Sequence, residues 1–178
     1  MIIKKLESYY IINKIKEHEK NKDKLLKLIE NIPKTSVQSK RENINHSDWN
    51  LPKDFKRDYL VLFYDIVKHY MNDIMKSLHC SKWDIRNGWF QQYTKNNKHE
   101  WHVHQHTNFS NIYYLEMPDQ NMKTEFYNIL TKEIITFDLK EGDLLTFPGH
   151  LLHRSKTINT LNRKTIISFN SNFMDVTL

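Results

Sequence analysis

Between Phe55 and Leu78 the apolar side chains fall at Phe55, Tyr59, Phe63, Ile66, Val67, Tyr70, Ile74 and Leu78. Spacings of three and four put them on one face of a helix, which Pro52 would open. A weaker form of the pattern runs through residues 6–31, where Tyr9, Tyr10, Ile12, Ile15, Leu25, Leu26, Leu28 and Ile29 are separated by charges. It predicts an amphipathic helix or helix pair ended by Pro33. Residues 33–50 are polar and without period, which predicts a long connection of the kind that often crosses near a binding site. From Trp83 the rhythm changes. Trp83–Tyr93, His99–His104, Ser110–Glu116, Thr124–Ile129, Ile134–Asp138, Asp143–Phe147 and Lys164–Phe173 are short runs rich in aromatic and β-branched residues. Turn signals separate them at Asn96-Asn97, Pro118-Asp119, Glu141-Gly142, Pro148-Gly149 and Asn159 to Asn162. Seven or eight strands with no crossover helix between them predict antiparallel sheets in a sandwich or jelly roll. The expected class is α+β, mainly β: one domain over 1–178, with a helical support region at 1–80 and a β core at 81–178.

Composition narrows the setting. A chain of 178 residues with 39% hydrophobic content and a mean hydropathy of -0.71 reads as a soluble globular domain. No apolar run approaches the roughly 20 residues of a membrane helix. The opening residues lack the apolar block and cleavage site of a signal peptide. Cys80 is the single cysteine, so no intrachain disulfide forms, and a cytoplasmic setting is expected. The net charge of +6 resides in residues 1–41, which hold eleven Lys or Arg against five Asp or Glu. The two signs alternate, so a solvated helix face is favoured over a nucleic-acid surface. Exposed apolar residues on the N-terminal helices leave room for a homodimer.

Candidate chemistry lies at His102-Val-His104 and, 49 residues beyond His104, at His153. Side chains at i and i+2 of an extended segment share a face, so two imidazoles reach one point. A third from a distant strand would close one face of a coordination sphere. The set has the form of a two-His-one-carboxylate triad with His104 where the carboxylate usually stands. The pair follows Trp89-Phe-Gln-Gln-Tyr93 and precedes Ile112-Tyr-Tyr-Leu115, while His153 follows Glu141-Gly-Asp-Leu-Leu-Thr-Phe-Pro-Gly149. This context places both halves of the site at the mouth of a β barrel.

From Trp83 to Phe173 the chain resembles the double-stranded β-helix core of the iron(II)- and 2-oxoglutarate-dependent oxygenases. It is most similar to a microbial and phage branch with HxH in place of HxD. The resemblance rests on Ser110-Asn-Ile-Tyr-Tyr114 after the HxH, on Gly142-Asp-Leu-Leu-Thr-Phe-Pro148 leading to His153, and on Arg163-Lys-Thr-Ile-Ile-Ser-Phe-Asn170 as the closing strand. It implies a jelly-roll core with the N-terminal helices packed on one sheet. It implies Fe(II) held by His102, His104 and His153, with 2-oxoglutarate as cosubstrate, dioxygen as oxidant and ascorbate as an auxiliary reductant. The far carboxylate of 2-oxoglutarate would be clamped by a guanidinium. Arg163 is favoured for this because it leaves Thr165 on its own face to donate a hydroxyl. Counting back from Ser168-Phe-Asn170 gives Lys164 instead. Tyr93 is either a further cosubstrate contact or a core tyrosine. The activity implied is a dioxygenase that hydroxylates its substrate and releases succinate and CO2.

Two rivals stand beside this reading. A cupin would bind metal without 2-oxoglutarate, but its first motif needs a Glu where this chain has Asn108 and Phe109. A jelly-roll binding module would have no chemistry at all. Substrate candidates are a small molecule, a peptidyl side chain or a modified nucleotide. His106 and His150 are read as surface or supporting imidazoles, and Asn45 to Trp49 as either a substrate contact or an anchor of the loop.

Overall fold

The computed structural model describes residues 7–177; residue 178 and residues 1–6, where most of the opening stretch read for a leader lies, fall outside that range. In chain order the elements are β1 (Ile11–Lys14), α1 (His18–Glu30), β2 (Val37–Gln38), β3 (Glu42–Ile44), β4 (His46–Ser47), α2 (Asp58–Ser77), β5 (Cys80–Tyr93) and β6 (Lys98–His102). Then follow β7 (Phe109–Glu116), β8 (Thr124–Asn128), β9 (Glu133–Ile135), β10 (Asp143–Pro148), β11 (His153–Ser155) and β12 (Lys164–Val176). One sheet has the order β1-β10-β7-β12-β5-β4 and the other β2-β3-β6-β11-β8-β9. Every pairing is antiparallel. Over the described residues the molecule is a jelly roll of two six-stranded sheets, as the strand pattern predicts.

Alternation along β5, β7 and β12 sorts side chains between two cores. Phe90, Tyr113, Ile167 and Phe169 face outward and pack with Leu25 and Ile29 of α1 and Phe63, Val67, Met71 and Ile74 of α2. Tyr93, Ile112, Tyr114 and Ile166 face inward and meet Ile44 and Phe126 of the opposing sheet. The helices therefore cover one face of the first sheet and leave the space between the sheets to the site.

Three segments depart from the sequence expectation. The first part of residues 6–31 is a strand: Ile11–Lys14 pairs along β10 in register Ile11↔Thr146 to Lys14↔Asp143. Its apolar residues thus complete a sheet edge, and the helix begins only at His18. The connection 33–50 carries three short strands, two of them joining the second sheet and one the first. Backbone pairing needs no apolar period, so polar residues entered the sheets unnoticed. The second helix starts at Asp58, after a turn held by Arg57, which donates to the carbonyls of Asp48, Leu51, Pro52 and Phe55.

Asp48 fastens this turn to the sheet. Its carboxylate, fully buried, accepts from Arg57 Nε at 2.8 Å, the Tyr59 hydroxyl at 2.7 Å and the Phe90 amide at 3.0 Å. Helix α2 and β5 are thereby locked to one another, and β5 supplies one wall of the site. Asp48 is thus an anchor, and Trp49 lies over Trp89 at a centroid distance of 5.3 Å.

Candidate metal centre and its cavity

His102 is the last residue of β6 and His153 the first of β11, and the two strands pair with these residues directly opposite. His104 lies two residues beyond β6, where its amide donates to Gly149 O at 2.9 Å. A Cβ on Gly149 would sit 3.1 Å from Thr107 O and 3.6 Å from His104 Cβ, so a side chain there would crowd the turn that seats His104. One nitrogen from each of the three rings lies within 4.8 Å of the others. The sequence expectation that His102, His104 and His153 converge is met.

The tautomers are set by the backbone. His102 Nδ1–H donates to Glu100 O and His153 Nδ1–H to Leu151 O, each at 2.8 Å. The Nε2 lone pair of both rings is left for a ligand. Burial holds all three below the usual histidine value, and neighbouring imidazoles add to it for His104, lowered to about 4, and for His153, well below its ordinary range. Neutral imidazole is the ligating form, so the donor set fits a borderline divalent cation such as iron(II), nickel or zinc. His104 stacks on Trp89 at 6.0 Å and 12°. His99, missed in the sequence as a site residue, stacks on His102 at 3.8 Å and 10°, and burial lowers it to about 3.

The cavity beside the three imidazoles is lined mainly by β5, β6, β7, β11 and β12. Tyr93 lines it while also packing in the inner core. Arg163 does not. Its guanidinium makes a bidentate pair with Glu116, Nε at 2.8 Å and Nη2 at 2.9 Å, and a looser one with Glu30. Thr165 does share its face, and donates its hydroxyl to the same Glu116 carboxylate. That face is the one turned away from the cavity, as strand alternation requires once Ile166 and Ser168 are found lining it.

Lys164 takes the inward position. It is fully buried, and its ammonium donates to Ser155 Oγ at 3.1 Å over the rings of Tyr93 and Tyr114, 5.3 and 5.7 Å from their centroids. Among the described residues no carboxylate pairs with it. Burial alone lowers its pKa to about 7. A buried cation without a counter-charge is costly unless a ligand supplies one. The residues therefore fit a metal at the three imidazoles and an anion drawn toward the buried ammonium behind Ser155. His106 and His150 are exposed, and Cys80 is half-buried against the helical core.

No family model matches this sequence, and no curated protein matches it. Solved structures do. A viral collagen prolyl hydroxylase from Paramecium bursaria Chlorella virus-1, in complex with 2-oxoglutarate, is 16% identical with a TM-score of 0.62, over 93% of this chain and 97% of that one. An oxidoreductase of the 2-oxoglutarate–Fe(II) oxygenase family from Burkholderia pseudomallei is 11% identical with a TM-score of 0.71, over 92% and 85%. HygX from Streptomyces hygroscopicus, with nickel and 2-oxoglutarate bound, is 9% identical with a TM-score of 0.65, over 94% and 84%. The chain has the fold of the 2-oxoglutarate–Fe(II) oxygenases.

Proposed function

We propose that the protein is a non-haem iron(II)- and 2-oxoglutarate-dependent dioxygenase. One observation carries the reading: three imidazoles line a cavity whose wall residue Ser155 accepts a hydrogen bond from the buried ammonium of Lys164, which no described carboxylate pairs. His102, His104 and His153 would hold the metal. Lys164, in place of Arg163, would take the far carboxylate of the cosubstrate, with Tyr93 and Ser155 beside it. The neighbours that bind 2-oxoglutarate with the same fold support this assignment.

Bound iron(II) would supply dioxygen activation, coupling decarboxylation of 2-oxoglutarate to succinate and CO2 with hydroxylation of a substrate carbon. The chain's own residues supply geometry and charge. The carbonyls of Glu100 and Leu151 fix two ring tautomers, and Trp89 braces the third ring. Lys164 would give the cosubstrate one orientation, because its ammonium favours a carboxylate on the Ser155 side. With His104 in place of a carboxylate, the protein leaves the charge of a divalent metal unneutralised, and the dianionic cosubstrate would balance it.

The test is succinate release by purified protein supplied with iron(II), ascorbate and 2-oxoglutarate, together with metal analysis. Succinate with one bound metal per chain is expected. Stoichiometric metal without succinate would favour a cupin, and neither would favour a non-catalytic module.

A further inference from the structure

Two buried donors in the cavity wall have no acceptor. Trp89 Nε1 and Gln91 Nε2 are inaccessible to water, and no described residue accepts a hydrogen bond from either. Trp89 is 6% exposed and Gln91 3%, and both side chains line the cavity. Buried N–H groups in folded proteins are overwhelmingly paired, and leaving one unpaired costs about 1–3 kcal/mol. Two adjacent exceptions in one cavity wall call for a ligand.

Their position says which ligand. Trp89, Gln91 and Tyr93 alternate along one face of β5, at rises of roughly 6.6 Å per pair of residues. Trp89 stands beside the metal ligand His104, and Tyr93 stands opposite Lys164 in the strand register. Gln91 lies between them, opposite Ile166. A molecule reaching from the imidazoles toward Lys164 would run along the face of β5 that carries both residues. It must also be rich in acceptor oxygens, because both groups can only donate from these nitrogens.

We infer that Trp89 and Gln91 are positioning residues for the 2-oxo acid, each donating an N–H to one of its oxygens. The inference rests on the reading of the cavity as a 2-oxoglutarate site. It adds two neutral donors between the metal and the terminal cation, and predicts that β5 contributes to cosubstrate affinity through more than Tyr93.

The experiment measures binding of 2-oxoglutarate to the zinc-loaded protein by calorimetry, so turnover plays no part. Gln91→Leu keeps the shape and removes the amide; Trp89→Phe keeps an aromatic face against His104 and removes the indole N–H. Each is expected to weaken 2-oxoglutarate binding roughly tenfold or more. Each should also leave zinc stoichiometry at one and the melting temperature of the ligand-free protein unchanged or raised, since an unsatisfied polar group has been removed. A variant that binds 2-oxoglutarate as tightly as the parent overturns the assignment for that residue. If the parent itself binds zinc but no 2-oxoglutarate, the cosubstrate reading fails as well.

Discussion

Lys164 and Arg163 are sequence neighbours with opposite surroundings, and that contrast gives the sharpest residue-level prediction. Arg163, its side chain 35% exposed, spends its guanidinium on Glu116, so Arg163→Ala should cost about 1 kcal/mol in urea unfolding and leave 2-oxoglutarate affinity intact. Lys164→Met should do the reverse. It should weaken cosubstrate binding roughly a hundredfold, as for a buried ion pair missing one partner, while raising the melting temperature of the ligand-free protein. The pH dependence follows from the same ammonium. Its pKa in the folded protein is about 7 against an ordinary 10.5, so the unfolded chain holds the extra proton between those values. The Lys164 contribution to ligand-free stability should therefore rise with pH across that window and vanish in Lys164→Met. Cosubstrate affinity should move the opposite way, falling by about tenfold per unit above pH 7 as the carboxylate-binding form is lost. Calorimetry between pH 6 and 9 reads both.

Among the elements, β12 shows what a sequence makes legible and what it hides. Its existence was plain from Lys164 to Phe173, and so was the cluster of a cation with Thr165. Which side chain faced the cavity was a question of parity, and a one-residue slip moves every side chain to the other face. The apolar residues did not settle it, because Ile166 and Ile167 are both buried, one in each core. The converging histidines were legible because i, i+2 spacing needs only an extended backbone. Strand β11 was missed because three residues carry too little pattern, and the strands within 33–50 because hydrogen bonding, not hydrophobicity, recruits them. The same segment carries Asp48, whose three partners join the turn before α2 to β5. Asp48→Ala should destabilise the protein by about 3 kcal/mol, read as a lower urea midpoint. Since β5 lines the cavity, cosubstrate affinity should fall along with it.

At the scale of the whole molecule, a metal held by His102, His104 and His153 would tie together β6 and β11, strands of one sheet that are joined only by a short ladder. β6 and β11 pair at His153↔His102 and again only after an irregularity, at Ser155↔His99. Binding to the folded state alone stabilises it by about 2.7 kcal/mol at a hundredfold excess over the dissociation constant. For a chain of this size that corresponds to a rise of roughly 5–10 °C in melting temperature. Zinc or nickel should produce such a rise, EDTA should reverse it, and His153→Ala should abolish it. A differential scan of parent and variant, with and without metal, reads all three.

The cavity wall has a further property. Among the described residues no Asp or Glu lines it; Arg154 does, paired with Glu125 behind it, and the unpaired Lys164 adjoins it. Loaded with a divalent ion, such a chamber is an electropositive well that takes in whatever small dianion surrounds it. Citrate, phosphate or sulfate in a storage buffer would compete for the same berth, so the choice of counter-ion during purification will govern the occupancy and apparent activity of the preparation.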